Sequence, residues 1–188
     1  MRFFGKLHDF KERFGLKITL YCFWEIGDGL TFCDIPGRNM YEFSENSKWL
    51  NFGFHSKNYE PFYQSFSWEE SFDEFTKCVK HFEIGGTDIL RLHYWKATEK
   101  QKRKLSSKGI LTLLSPPNSK ELYYENGIYY RRTNTYFEKV NENITDSILE
   151  IGNSCLIAFT HEKSFENQIS KIEVALKFYK KNNYCFLT

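Results

Sequence analysis

DILRLHYWKATEKQKRKLSSKGILTLL, Asp88 to Leu114, holds a whole strand, helix and strand in one run. Asp88 to Tyr94 is short, apolar at alternate positions and ends near His93, as a strand does. Thr98 to Gln101 (TEKQ) has the spacing of a capping box, which predicts a polar helix running to Gly109. Ile110 to Leu114 is a second apolar run, stopped by Ser115, Pro116 and Pro117. Two strands joined through a helix pair in parallel, because a parallel pair needs a long crossover and a right-handed helix supplies it.

The same alternation extends to both sides. Phe3, Leu7, Phe10 and Phe14 share one helical face, with Gly15 as the expected cap. Lys17 to Trp24 (KITLYCFW) predicts a strand covered on both faces. Tyr41 to Trp49 predicts a helix and Asn51 to His55 (NFGFH) a strand. Ser67 to Glu70 (SWEE) is again spaced as a capping box, ahead of a helix whose apolar face is Phe72, Phe75, Val79 and Phe82 and which Gly85 and Gly86 are expected to break. Glu121 to Arg132 departs from the pattern: LYYE and IYYRR flank Asn126-Gly127, the signal of a two-residue hairpin. A helix near Ile144 to Ile151, a strand at Cys155 to Thr160, a long helix through Phe165, Ile169, Ile172, Leu176 and Tyr179, and a strand at Tyr184 to Leu187 complete the order. The expected fold is α/β, with about six parallel strands, an inserted β-hairpin and one domain over residues 1–188.

The 188 residues carry 26 basic and 24 acidic side chains, a formal charge of +2. That balance gives no electrostatic reason to expect nucleic acid. No window is long and apolar enough for a bilayer span, and Arg2, Lys6, His8 and Asp9 interrupt the first apolar residues, so no membrane partner and a cytoplasmic location are expected. The five cysteines lack a Cys-x-x-Cys pair and are read as reduced core thiols. Aromatic residues form 19% of the chain, an area that must be packed or used in binding.

Only five histidines occur. His8 and His81 fall on helices, whereas His55, His93 and His161 each fall at or just past the end of a predicted strand. Parallel strands share one C-terminal rim, where ligand and catalytic groups collect, so the three imidazoles are expected to converge there. Imidazole can ligate a divalent metal or act as a general acid or base. Arg91 should share a face with His93 and either orients a carboxylate or acyl oxygen or pairs with Glu25 or Glu162. Trp24 and Tyr94, also at strand ends, are suited either to stacking on sugar rings or to the core.

Several stretches together resemble the polysaccharide deacetylase (NodB-like carbohydrate esterase) family over nearly the whole chain. KITLYCFW looks like the strand after its first helix, WLNFGFHSKNY (residues 49–59) like the segment with its His-Ser-x-x-His metal motif, ILRLHYW (89–95) like its arginine-bearing strand, and CLIAFTHE (155–162) with NYCFL (183–187) like its C-terminal histidine segment. The resemblance implies a partly open parallel (β/α) barrel and a metal-activated water attacking an N- or O-acetyl group on a carbohydrate. It implies His55 as a ligand to zinc or another divalent metal, Ser56 as its motif neighbour, Arg91 as a catalytic positioning residue and His161 as the general acid. His93 has no family role; with Trp24 and Tyr94 it is expected to meet substrate.

Two departures matter. Tyr59 stands where the motif wants a second histidine, and the family's Asp-Asp strand, expected before the opening helix, has no counterpart there, so six strands are expected where the family has seven: either the chain is truncated, or its start is misplaced, or it is a divergent member that works without that strand. A zinc site wants at least three protein ligands. A missing strand would also leave an edge that favours a homo-oligomer. The alternatives are a non-catalytic carbohydrate-binding or interaction protein on the same frame, and an unrelated α/β hydrolase using His93 or His161.

Overall fold

A computed structural model describes residues 3–60, 67–133, 135–136 and 157–182. The chain forms two compact units, one of residues 18–116 and 120–131, the other of residues 1–17, 117–119 and 132–188.

In the first unit, strand β1 (Ile18–Phe23) lies parallel to a longer strand that runs from Leu50 to Ser56, in register from Ile18 opposite Leu50 to Cys22 opposite Phe54. Between them come the short antiparallel strands β2 (Glu25–Gly27) and β3 (Leu30–Thr31) and helix α2 (Gly37–Glu45), which starts earlier than expected because Pro36 can stand at its N-cap. The longer strand is therefore β4. Its Phe52 and Phe54 point to one face, and the ring of Phe54 meets Trp68, Phe72 and Phe75 of helix α3 (Trp68–His81) at 5.2, 5.5 and 5.6 Å. On the same side Phe52 packs against Phe32 and the α2 residue Phe43. This aromatic layer between strand and helices is where much of the chain's aromatic content goes. Strand alternation then sends Gly53 and His55 to the opposite face.

After α3 the chain returns as β5 (Gly85–Gly86), parallel to β4, and continues as β6 (Ile89–Leu90), parallel to β7 (Thr112–Ser115). Gly85 and Gly86 thus pair in a sheet rather than merely breaking the helix. A Cβ on Gly85 would lie 2.6 Å from the Leu50 carbonyl oxygen, so only glycine allows that approach. The strand expected over Asp88 to Tyr94 is confined to Ile89–Leu90, and His93–Trp95 form a 3-10 turn. Helix α4 (Glu99–Ser107) begins with the expected capping box: Thr98 Oγ1 accepts from the Gln101 backbone N–H, and Gln101 Oε1 accepts from the Thr98 N–H at 2.8 Å. Ser67, by contrast, makes no such bond, because its backbone (φ −112°, ψ 25°) is not extended as an N-cap requires.

Strands β8 (Leu122–Glu125) and β9 (Ile128–Arg132) form the hairpin at Asn126-Gly127, whose φ of 50° and 83° are those of the expected turn, and β9 lies next to β7. Cys33 and Cys78 are joined as a disulfide with Cα atoms 5.9 Å apart, a correction to the expectation of reduced thiols; sequence spacing carries no information on this contact.

The second unit contains α1 (Phe3–Phe14), the parallel pair β10 (Thr135–Tyr136) and β11 (Ala158–Phe159), and α5 (Glu162–Lys181). Phe3 and Phe10 pack on Phe165 at 4.9 and 6.3 Å, and Arg13 pairs with Glu173. The helix expected near 144–151 and the strand expected at 184–187 lie outside the described residues. The described chain is mixed α/β with parallel sheets; its strands form four separate ladders and no closed ring. No described helix is long and apolar enough to cross a membrane.

Candidate functional site

His55 sits near the C-terminal end of β4 and is buried, at 6% exposure. Its Nδ1 lies 2.5 Å from the Arg91 carbonyl oxygen. A carbonyl only accepts, so that ring nitrogen carries the proton and Nε2 presents its lone pair. Two side chains meet this lone pair: Arg91 Nη1 at 3.2 Å and His93 Nδ1 at 3.2 Å. His93 is likewise tied at its far nitrogen, with Nε2 2.8 Å from the Tyr59 carbonyl oxygen. In the neutral ring that nitrogen holds the proton and Nδ1, facing His55, does not.

Packing holds the group in place. Phe23, the last residue of β1, sets its ring edge-on to both imidazoles, at 5.0 Å from His55 and 5.1 Å from His93. The Arg91 guanidinium stacks on Trp95 at 4.2 Å. Tyr21 Oη donates to the Ile89 carbonyl at 2.9 Å, clamping β1 to β6 just before Arg91. The turn that carries His93 is strained: Tyr94 and Trp95, neither a glycine, have φ of 54° and 60°. Left-handed residues of this kind cost about 1–3 kcal/mol each and gather at functional sites.

The expected residues are distributed as follows. His55, Arg91 and His93 come together. Tyr94 stands beside them, its ring 4.2 Å from that of His93 and 54% exposed. Trp24 follows β1, half-buried, with its backbone bonded to Ser56 and Phe32. Ser56 is fully buried, and its hydroxyl has no hydrogen-bond partner among the described residues. Tyr59 contributes its carbonyl rather than its phenol, which is exposed. Glu25, just past β1, bonds Lys57 at 3.2 Å and Asn58 at 3.0 Å. His161 is the N-cap residue of α5 in the other unit. His8 and His81 are exposed on α1 and α3, as expected.

Sequence reasoning missed Phe23 and Trp95, the two rings that fix the cluster. Trp95 directly follows His93-Tyr94 in a run with no helical or strand period, which is the available signal.

The donor set bears on a metal. Two imidazole nitrogens face each other with their far N–H groups held by carbonyls, the usual outer support of a metal-bound histidine. Among the described residues no group of three or more His, Cys, Asp or Glu side chains could hold a metal. Two imidazoles, one of them already met by the Arg91 guanidinium, fall short of the three protein ligands a zinc site wants. No protein-family model and no curated protein matches the chain.

Proposed function

We propose that the chain is a divergent carbohydrate deacetylase-type hydrolase, built on the partly open parallel barrel of the NodB-like enzymes, whose acetyl-binding centre is the His55–Arg91–His93 cluster. The observation that carries this reading is the meeting of Arg91 Nη1 and His93 Nδ1 on His55 Nε2, each at 3.2 Å, at the C-terminal ends of β4 and β6. Groups at that end of parallel strands are where such folds carry out chemistry.

Arg91 supplies a cationic donor for an acyl oxygen, held flat by Trp95. A zinc-class metal, when bound, supplies carbonyl polarisation and an activated water. Tyr94, exposed beside His93, offers a ring face to a pyranose, and Trp24 a second one.

Release of acetate from N-acetylated and O-acetylated oligosaccharides, with added zinc, tests this. The expected result is release that Arg91→Gln lowers by about 100-fold or more, the scale of losing a donor to the developing oxyanion, and that His55→Ala also lowers. No release above the protein-free rate from either substrate refutes the reading.

The exposed cross-strand pair Tyr124 and Tyr129 favours a second reading, a non-catalytic glycan-binding protein. Glycan binding that Tyr124→Ala abolishes, without acetate release, selects it.

A further inference from the structure

We propose that the crevice between α3 and the strands β4 and β6 binds a small monocarboxylate with a flat apolar body the size of a benzene ring, its carboxylate held by Lys108. The crevice lies on the Phe52 and Phe54 side of β4, and strand alternation puts His55 on the other side, so this site is separate from the histidine cluster and does not depend on the hydrolase reading.

Size and lining set the body of the ligand. The cavity has a volume of about 130 Å³, and the buried side chains of Phe52, Phe54, Phe72, Phe75 and Leu90 line it. A dry apolar cavity of about 150 Å³ takes up benzene, so this one has room for a single ring. Two threonines also line it, and their hydroxyls are already engaged with the backbone: Thr76 Oγ1 donates to the Phe72 carbonyl at 2.8 Å, and Thr87 Oγ1 accepts from the Ile89 N–H at 3.2 Å. A sugar or another hydroxyl-rich body would leave its own polar groups unsatisfied against such walls.

Charge sets the head group. Lys108, the C-cap residue of α4, is the one charged side chain among the described residues that line the cavity. Its Nζ lies 3.2 Å from Asp73 Oδ1, and Lys104 takes Asp73 Oδ2. Two ammonium groups therefore share one carboxylate, which leaves one positive charge in excess beside an apolar cavity. The side chain of Lys108 is 47% exposed, and Thr76 and Gly86 are exposed as well, so the cavity opens to solvent where that charge stands. A ligand with a single carboxylate balances the excess while its ring stays among the phenylalanines; a phosphate or a diacid would bring more negative charge than Lys108 offsets.

The test titrates the full chain with benzoate, and separately with toluene as a neutral ring of similar shape, and reads binding from the rise in melting temperature and from shifts of amide NMR signals. Both probes are expected to bind, benzoate at least about threefold more tightly at low salt, the scale of a half-exposed ion pair. Lys108→Gln is expected to remove that advantage and to leave toluene binding unchanged. Thr76→Phe places a ring in the cavity from an exposed position on α3, and Val79→Phe does so from the next turn; each is expected to abolish binding of both probes, with circular dichroism confirming the fold. Failure of both probes to bind overturns the proposal, as does binding that survives both phenylalanine variants. Benzoate bound no better than toluene, or an advantage that Lys108→Gln leaves intact, overturns the pairing with Lys108. Benzoate binding that Arg91→Gln abolishes places the acid at the histidine cluster and overturns it equally.

Discussion

Gly53→Ala adds one methyl group at the point where the histidine-bearing strand is most closely covered. The new Cβ would lie 2.6 and 2.7 Å from the Cδ1 and Cε1 of Tyr21 and 2.9 Å from the Cγ2 of Thr87. Carbon atoms do not approach so closely, so the Tyr21 ring must move. Overpacking of this kind costs about 1–3 kcal/mol. The ring also anchors a hydrogen bond from Tyr21 Oη to the Ile89 carbonyl at 2.9 Å, and leaving both partners unsatisfied adds about 1–3 kcal/mol. Taking about 3 kcal/mol for the sum, a chain of this size melts about 6–12 °C lower. Thermal unfolding followed by circular dichroism reads the shift. Tyr21→Ala removes the obstructing ring, so the double variant should recover part of the loss, with a coupling of at least about 1 kcal/mol between neighbours that touch. A single Gly53→Ala variant that melts within about 1 °C of the unsubstituted protein, or a fully additive pair, refutes the close approach of Tyr21 to β4.

The disulfide between Cys33 and Cys78 closes a loop with a sequence separation of 45, for which loop entropy gives about 4 kcal/mol of stabilisation. Reduction, or Cys33→Ser with Cys78→Ser, should lower the denaturation midpoint accordingly, and Cys22, whose buried thiol is pushed up to about 12, should stay unlabelled by thiol reagents in the folded protein; equal midpoints with and without reductant overturn this. Lys104, and then Lys108 at 3.2 Å, hold the Asp73 carboxyl below its ordinary range. Since the folded value is the lower one, this stabilisation is present above the unfolded value near 4 and is lost as pH falls through the folded value. Asp73→Asn should therefore cost up to about 1 kcal/mol at neutral pH and nothing at the acid end, as read from urea midpoints against pH; a loss that does not vary with pH refutes the ion pair as its source.

Where backbone chemistry is local, the sequence was sufficient. Thr98 and Gln101 satisfy each other within one turn, and Asn126-Gly127 needs only its own dihedral freedom, so both appear as expected. The same four-residue spacing at Ser67 makes no box, because an N-cap bond depends on the direction from which the chain enters, and no residue type encodes that. Gly85 and Gly86 misled for a related reason. Glycine signals a break when it is exposed, but it also marks a site where another backbone comes close, and the carbonyl of Leu50 that requires it is distant in sequence. The pairing of Cys33 with Cys78 is likewise purely spatial.

The convergence of Arg91 and His93 was legible as a direction but not as a distance. In an extended stretch, residues two apart share a face and stand about 6.6 Å from each other along it, so both side chains can reach one ring nitrogen on a neighbouring strand, but the residue types do not state that they do. The ladder ends at Leu90, Leu92 stays extended (φ −74°, ψ 149°), and a turn in which Tyr94 and Trp95 are left-handed begins at His93. That turn folds Trp95 against the guanidinium of Arg91, at 4.2 Å. Two non-glycine residues in that conformation cost more than a plain loop would. The stacking of Trp95 on Arg91, the Phe23 contacts and the His93 bond to the Tyr59 carbonyl are what offset it. A turn held against its own preference, next to the point where Arg91, His55 and His93 nitrogens meet, places strained backbone beside a polar cluster.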